Sequence, residues 1–222
     1  MKVQKNVFSL CLLALLACLL TACSDQQQEK NNSKSSVASH LEQFSKISLK
    51  GNIRAIIEHA PNRSISLKAE KEILPLITVK VIDDTLYVHA EKSTSTMSSH
   101  SRVHIYIDSI KKIITSGNTY IRAKSLTLEM LEIENYGSSK FDISGHINKL
   151  DIKTIGALRL NGQQLKTKTT LVDSKGVNNL IIQTSENLTI SSNGFNKVLY
   201  TGSPKIKASI SGYNIIKLIN RS

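Results

Sequence analysis

The 222-residue sequence has no tryptophan, three prolines and three cysteines, and only 5% of its residues are aromatic. So few prolines exclude a proline-rich linker. Cys11, Cys18 and Cys23 all lie within the first 23 residues. If Cys23 is lipidated, as argued below, the mature chain has no thiol left for a disulfide or a thiolate metal site. GxSxG, HExxH, CxxC and phosphate-loop patterns are absent as well. Of six histidines, only His100 and His104 are close in sequence. Four residues apart on a strand they would lie about 13 Å from each other, too far to share a metal directly. No metal site and no cofactor is expected. Acidic residues are the minority, 17 against 29 Lys and Arg, for a net charge of +12. Such a charge attracts polyanions, and surplus lysine also protects strand edges. What remains is 40% hydrophobic and rich in Val, Ile, Leu, Thr and Ser, a composition that favours strands over helices.

The chain opens on "MKVQKN", followed by the apolar run Val7–Leu20. That run is too short to span a bilayer, which takes about 20 residues. A charged segment ahead of a short apolar one reads as a secretory signal. Leu20-Thr21-Ala22-Cys23 resembles the bacterial lipobox. The resemblance implies lipidation of Cys23 and cleavage before it. Ser24 stands where inner-membrane retention signals carry Asp, which implies the outer membrane. Residues 23–43 hold the lipidated cysteine and then a polar tract unable to bury a core. As a flexible tether, its twenty or so residues reach roughly 25 Å. The organisation expected is a signal peptide over 1–22, a tether over 23–43 and a folded domain over 44–222.

Within the domain, Gly117, Gly137, Gly156, Gly176, Gly194 and Gly212 recur every 18 to 20 residues. Four residues before them stand Ile113, Ile133, Ile152, Val172, Ile190 and Ala208. Four residues after stand Ile121, Phe141, Leu160, Leu180, Val198 and Ile216. Segments such as "LEIEN" and "LDIKT" alternate with period two, the mark of half-buried strands. A repeat this short cannot bury its apolar side alone and must stack on its neighbours. The expected fold is all-β, a right-handed parallel β-helix (β-solenoid) with coils of about 18–20 residues. The glycines would turn its corners, where positive φ is cheap for glycine. Asn178, Asn196 and Asn214 follow three of those glycines by two positions and are placed to stack as an amide ladder. An antiparallel sandwich is the competing architecture, but its turns would come every 8–12 residues. Residues 44–110 are β-rich and less regular. Asp83-Asp84 marks a hairpin, and Lys92–Ser101 reads as an exposed loop.

The segments "ISLKG", "DDTLYVHAEK", "SRVHIYIDSIKKIITSGN" and "VLYTGSPKI" resemble the DUF2807 family, described as an autotransporter-adhesin head (GIN) domain. The pattern covers most of residues 44–219, and Tyr200-x-Gly202-x-Pro204 is its most specific piece. Asp108-Ser109 stands where the family's usual proline would be. The resemblance implies a β-solenoid that is secreted or carried on a lipoprotein, and it implies no reaction.

Two sets of side chains are candidates for function. Glu132 and Asp151 share a column, with Asp173 two positions off it. Neighbouring coils would bring the first two near the roughly 5–5.5 Å of a retaining glycosidase pair. Solvated strand residues are the simpler explanation. Three and five residues after the glycines stand Arg122, Lys140, Arg159, Lys197 and Lys217. These read as a partial positive stripe for acidic glycan, lipopolysaccharide phosphates or an acidic envelope protein, and equally as a solubilising face. The expectation is a lipid-anchored outer-membrane protein with a non-catalytic, adhesin-like binding or scaffold surface. A carbohydrate-active β-helix enzyme and an envelope assembly or stress-signalling partner are the alternatives. Nucleic acid is not an expected ligand at that location.

Overall fold

The computed structural model describes residues 33–38, 41–91 and 102–220. The signal peptide, Cys23, His40, His100 and the Lys92–Ser101 loop lie outside the described residues. The described chain is all-β. Its strands are β1 (Ser33–Ala38), β2 (Lys46–His59), β3 (Ser64–Glu70), β4 (Ile77–Ile82), β5 (Thr85–Ala90), β6 (Arg102–Ile107), β7 (Lys112–Asn135), β8 (Ser138–Thr201) and β9 (Lys205–Leu218), with one 3-10 turn at Leu74–Leu76. No helix among the described residues is long and apolar enough to cross a membrane.

All nine strands belong to one sheet, ordered β1-β3-β6-β2-β7-β8-β9, with β5 also on β2 and β4 on β5. From β2 onward the pairing is parallel and in register with the glycine repeat. Gly51 pairs with Gly117 and Ile47 with Ile113. Ile121 then pairs with Phe141 and Ile133 with Ile152. Gly194 pairs with Gly212 and Leu188 with Ile206. Each repeat therefore lies as a rung on the one before it, matching apolar to apolar. Ile113, Ile133, Ile152 and Ile190 have at most 1% of their surface exposed, as do Ile121, Phe141, Leu160, Leu180 and Val198.

The order of the rungs departs from the order of the chain at one end. β2 sits between β7 and a rung made by β5 and β6, both parallel to it. That outer rung is closed by antiparallel strands, β4 on β5 and β3 on β6. Asp83 and Asp84 turn the β4–β5 hairpin with φ of 46° and 61°. Ser33–Ala38 lies in the stretch read from composition as tether, yet it pairs as β1 with β3, register Ser33↔Glu70 to Ala38↔Ile65. Backbone pairing at an open edge needs no apolar side chain, so composition does not report it.

Each glycine of the repeat packs against its predecessor. A Cβ on Gly117 would come within 2.8 Å of the Gly51 carbonyl oxygen, and one on Gly212 within 2.6 Å of that of Gly194. Both have positive φ, 97° and 83°. At Gly137 the left-handed conformation is not used, and close approach to Gly117 alone calls for glycine.

Behind the glycines runs a buried polar ladder. Asn178 Nδ2 donates to Asn196 Oδ1 at 2.7 Å, and Asn196 Nδ2 to Asn214 Oδ1 at 3.0 Å. Small polar residues two before the glycines join it. The Thr154 hydroxyl donates to Asn178 Oδ1 at 3.1 Å, and the Ser192 hydroxyl to Asn214 Oδ1 at 2.7 Å. Earlier in the stack, Asn135 Nδ2 donates to the Thr154 hydroxyl at 3.0 Å. Buried amides stay in a core at low cost only when partnered, and here each rung partners the next.

Candidate functional site

A groove of about 890 Å³ lies across the rungs that contain Gly51, Gly117, Gly137, Gly156 and Gly176. It forms just past the glycine column. The residues two positions after the glycines, such as Ile53, Thr119 and Asn178, point inward as its floor. Those three after, Arg54, Tyr120, Lys140, Arg159 and Asn179, line its side. Arg54 registers with Tyr120 and Tyr120 with Lys140, so an aromatic ring stands between two cations in one column.

Three cations converge on that ring. The Arg54 guanidinium is 5.2 Å from the Tyr120 ring centroid, Lys140 Nζ 5.4 Å and the Arg122 guanidinium 5.8 Å. Arg122 also donates to the Tyr120 hydroxyl at 2.9 Å. Each such contact contributes about 0.5–1 kcal/mol at an exposed site, enough to hold like charges together that would otherwise spread apart. Arg159 adds a fourth positive charge, and no residue lining the groove is acidic. One of these cations has a carboxylate beside it: Asp142 lies 3.7 Å from Arg122 Nε. Asn161 Nδ2 also donates to Asp142, at 3.2 Å.

Of the five cations of the sequence-read stripe, the structure gathers Arg122, Lys140 and Arg159 in this groove. Lys197 and Lys217 lie outside it, opposite Ile215 and Leu199. Positions three and five after the glycines are two separate columns. Arg122 registers with Asp142, and Lys140 with Tyr120. Sequence reasoning missed Arg54 and Tyr120. The signal was present in "GNIR" and "GNTY", which share Gly-Asn and become neighbouring rungs. Their glycines are too far apart in the chain to count as one period.

Glu132 and Asp151 do register with one another, but Glu132 is held in an ion cluster. Lys153 Nζ lies 2.6 Å from its carboxylate, and Lys112 Nζ 3.3 Å. Lys112 also reaches Glu134 at 2.9 Å. The Lys153 hydrogen bond, against the effect of burial and helped by Lys112, holds the Glu132 carboxyl below its ordinary value. A glycosidase acid needs the opposite shift. For Lys112, burial works to lower the value, but the hydrogen bonds with Glu134 and Glu132 prevail and raise it. Among the described residues, no group of three or more His, Cys, Asp or Glu side chains could hold a metal ion.

A model of the family described as "Putative auto-transporter adhesin, head GIN domain" matches residues 43–204. Among solved structures, the chain is similar to a Bacteroides fragilis protein described as a "putative adhesin". Identity is 21% and the TM-score 0.68, over 84% of this chain and 97% of that one. It is also similar to a Parabacteroides distasonis protein described as a "Putative lipid binding protein", at 14% identity and a TM-score of 0.52, over 86% and 98%. At these identities the likeness shows the fold alone. No curated protein matches.

Proposed function

The chain belongs to the DUF2807 family, and from that premise we propose that it is a lipid-anchored, adhesin-like binding protein of the bacterial cell envelope whose contact surface is the basic groove. In this reading residues 1–22 are removed, Cys23 carries the lipid at the outer membrane, and the rungs wind as a right-handed parallel β-helix. The stack is a rigid scaffold that binds and does not catalyse. The family description supports an adhesin-like role at the cell surface.

The observation that carries the proposal is the charge. Arg54, Arg122 and Lys140 share one tyrosine, Arg159 flanks them, and the groove contains no acidic residue. Asp142 stands beside Arg122 at 3.7 Å; the remaining clustered cations repel one another, and an anionic ligand relieves that repulsion on entering. The same groove, running across five rungs, suits a polymer better than a single small ion.

The test is the affinity of the full chain for polyphosphate, measured across a range of salt. Binding is expected to weaken as salt rises. Lys140→Glu combined with Arg159→Glu should weaken it tenfold or more, about 1.4 kcal/mol. Unchanged affinity in that double variant would reduce the groove to a solubilising face.

A further inference from the structure

We infer that the groove takes a stretch of acidic polysaccharide, its chain running along the stack and its sugar faces resting on Phe195 and Tyr213. The inference rests on the anion-binding reading above and names its ligand.

Three observations lead there. Among the described residues, three buried side-chain polar atoms lack a hydrogen-bond partner: Arg63 Nε, Arg122 Nε and Asn179 Oδ1. Arg63 Nε sits 2.7 Å from the Asp108 carboxylate, which satisfies it electrostatically. The other two belong to residues that line the groove. Arg122 Nε, with Asp142 at 3.7 Å, is a donor in need of an acceptor. Asn179 Oδ1 is an acceptor in need of a donor. Buried polar groups are normally paired, so such exceptions call for a reason. A ligand that satisfies both offers hydroxyl donors as well as anionic oxygens. Polyphosphate offers only the second, whereas a sugar acid offers both.

The column immediately after the glycines changes character along the stack. It is polar beside the cation cluster, at Asn52, Asn118 and Ser138, and apolar beyond it, at Val177, Phe195 and Tyr213. Those three are 62%, 66% and 66% exposed. Phe195 registers with Tyr213 on the next rung, their ring centroids 6.3 Å apart. Val177 lines the groove itself, so the aromatic pair continues the groove's own wall. The electron-rich face of an aromatic ring attracts the C–H groups that cover one face of a pyranose.

The spacing fits as well. Successive rungs lie about 4.8 Å apart, close to the length of one sugar residue in an extended chain. The column from Arg54 through Tyr120, Lys140, Arg159 and Asn179 to Lys197 therefore spans about 24 Å, some five sugar residues. Four of its six side chains are cations, each able to meet a carboxylate. Lys197 lies outside the groove and completes this column beside Phe195.

The experiment compares Phe195→Ser with Tyr213→Ser, as a double variant, against the parent chain. Both carry Cys23→Ser to exclude a lipid anchor. Three probes are used: polygalacturonate, polyphosphate and phosphatidylglycerol vesicles. The expected result is a tenfold or greater loss of polygalacturonate affinity with less than a twofold change for polyphosphate, which also reports that the fold is intact. An equal loss for both polymers, or polyphosphate binding with none for polygalacturonate, overturns the glycan assignment and leaves the anion groove standing. Vesicle binding that falls in the variant while polygalacturonate binding does not would make the ridge a membrane contact and also overturn it. Failure of the parent to bind any of the three would bring down the anion-binding reading itself.

Discussion

Asn178 is the side chain whose replacement probes the stacked architecture most sharply. It is 3% exposed and has two jobs. Its Oδ1 accepts from the Thr154 hydroxyl, and its Nδ2 donates to Asn196 Oδ1. Asn178→Ala leaves both partners without it in the core. One orphaned buried group costs about 1–3 kcal/mol, so the pair costs about 2–6 kcal/mol. At about 2–4 °C per kcal/mol for a domain of this size, Tm should fall by roughly 10 °C. Asn178→Asp separates the two jobs. A carboxylate still accepts from Thr154 but faces Asn196 Oδ1 oxygen to oxygen, inside the core. Its folded pKa is therefore pushed above the unfolded value of about 3.9. A carboxyl raised in this way penalises the fold when ionised, and the penalty disappears as pH falls below the unfolded value. The Tm difference between Asn178→Asp and the parent chain should be large at pH 7 and should narrow steadily toward pH 4. Thermal scans by circular dichroism at both pH values read it directly. A difference independent of pH would mean that position 178 does not donate to Asn196, and the amide ladder would have to be abandoned.

The ion cluster around Glu132 has the opposite pH signature. Its carboxyl lies below the ordinary value of 4.5, so its contribution is present above that value and is lost as pH falls through the lowered one. Glu132→Gln should cost about 1 kcal/mol at pH 7 and progressively less in acid, again as a difference in Tm from the parent. Cys23→Ser should release the chain from the membrane fraction of a bacterial expression host into the soluble fraction, as seen by immunoblot. Retention in the membrane would remove the lipid anchor from the account.

Much of the fold was legible because the repeat writes the same demand at the same interval. The apolar residues four before and four after each glycine point inward in rung after rung, and a single sequence shows that periodicity directly. The ladder of Asn178, Asn196 and Asn214 was legible for the same reason. The last rung is different. Ala208 and Ile216 occupy inward positions, yet Ala208 is exposed and Ile216 is half-buried, because β9 pairs with β8 on one side only among the described strands. The insertion of β2 between β7 and the β5–β6 rung was not legible, since it joins segments with no common period. That insertion is what brings Arg54 onto Tyr120. The groove was therefore partly visible: Tyr120, Lys140 and Arg159 each follow a repeat glycine by three positions, whereas Arg54 joins their column only through the insertion of β2. Arg122 and Lys140 looked like members of one stripe because sequence counts distance along the chain. In the stack they belong to adjacent columns, and Tyr120 draws them together.

The central claim is that the groove lined by Arg54, Tyr120, Lys140 and Arg159 is built for an anion. A crystal structure of the chain grown with tripolyphosphate tests it most directly. The account predicts phosphate oxygens within hydrogen-bonding distance of Arg54, Lys140 and Arg159. An empty groove, with the anion seated instead on the lysines of the last rung, Lys205, Lys207 and Lys217, would contradict it.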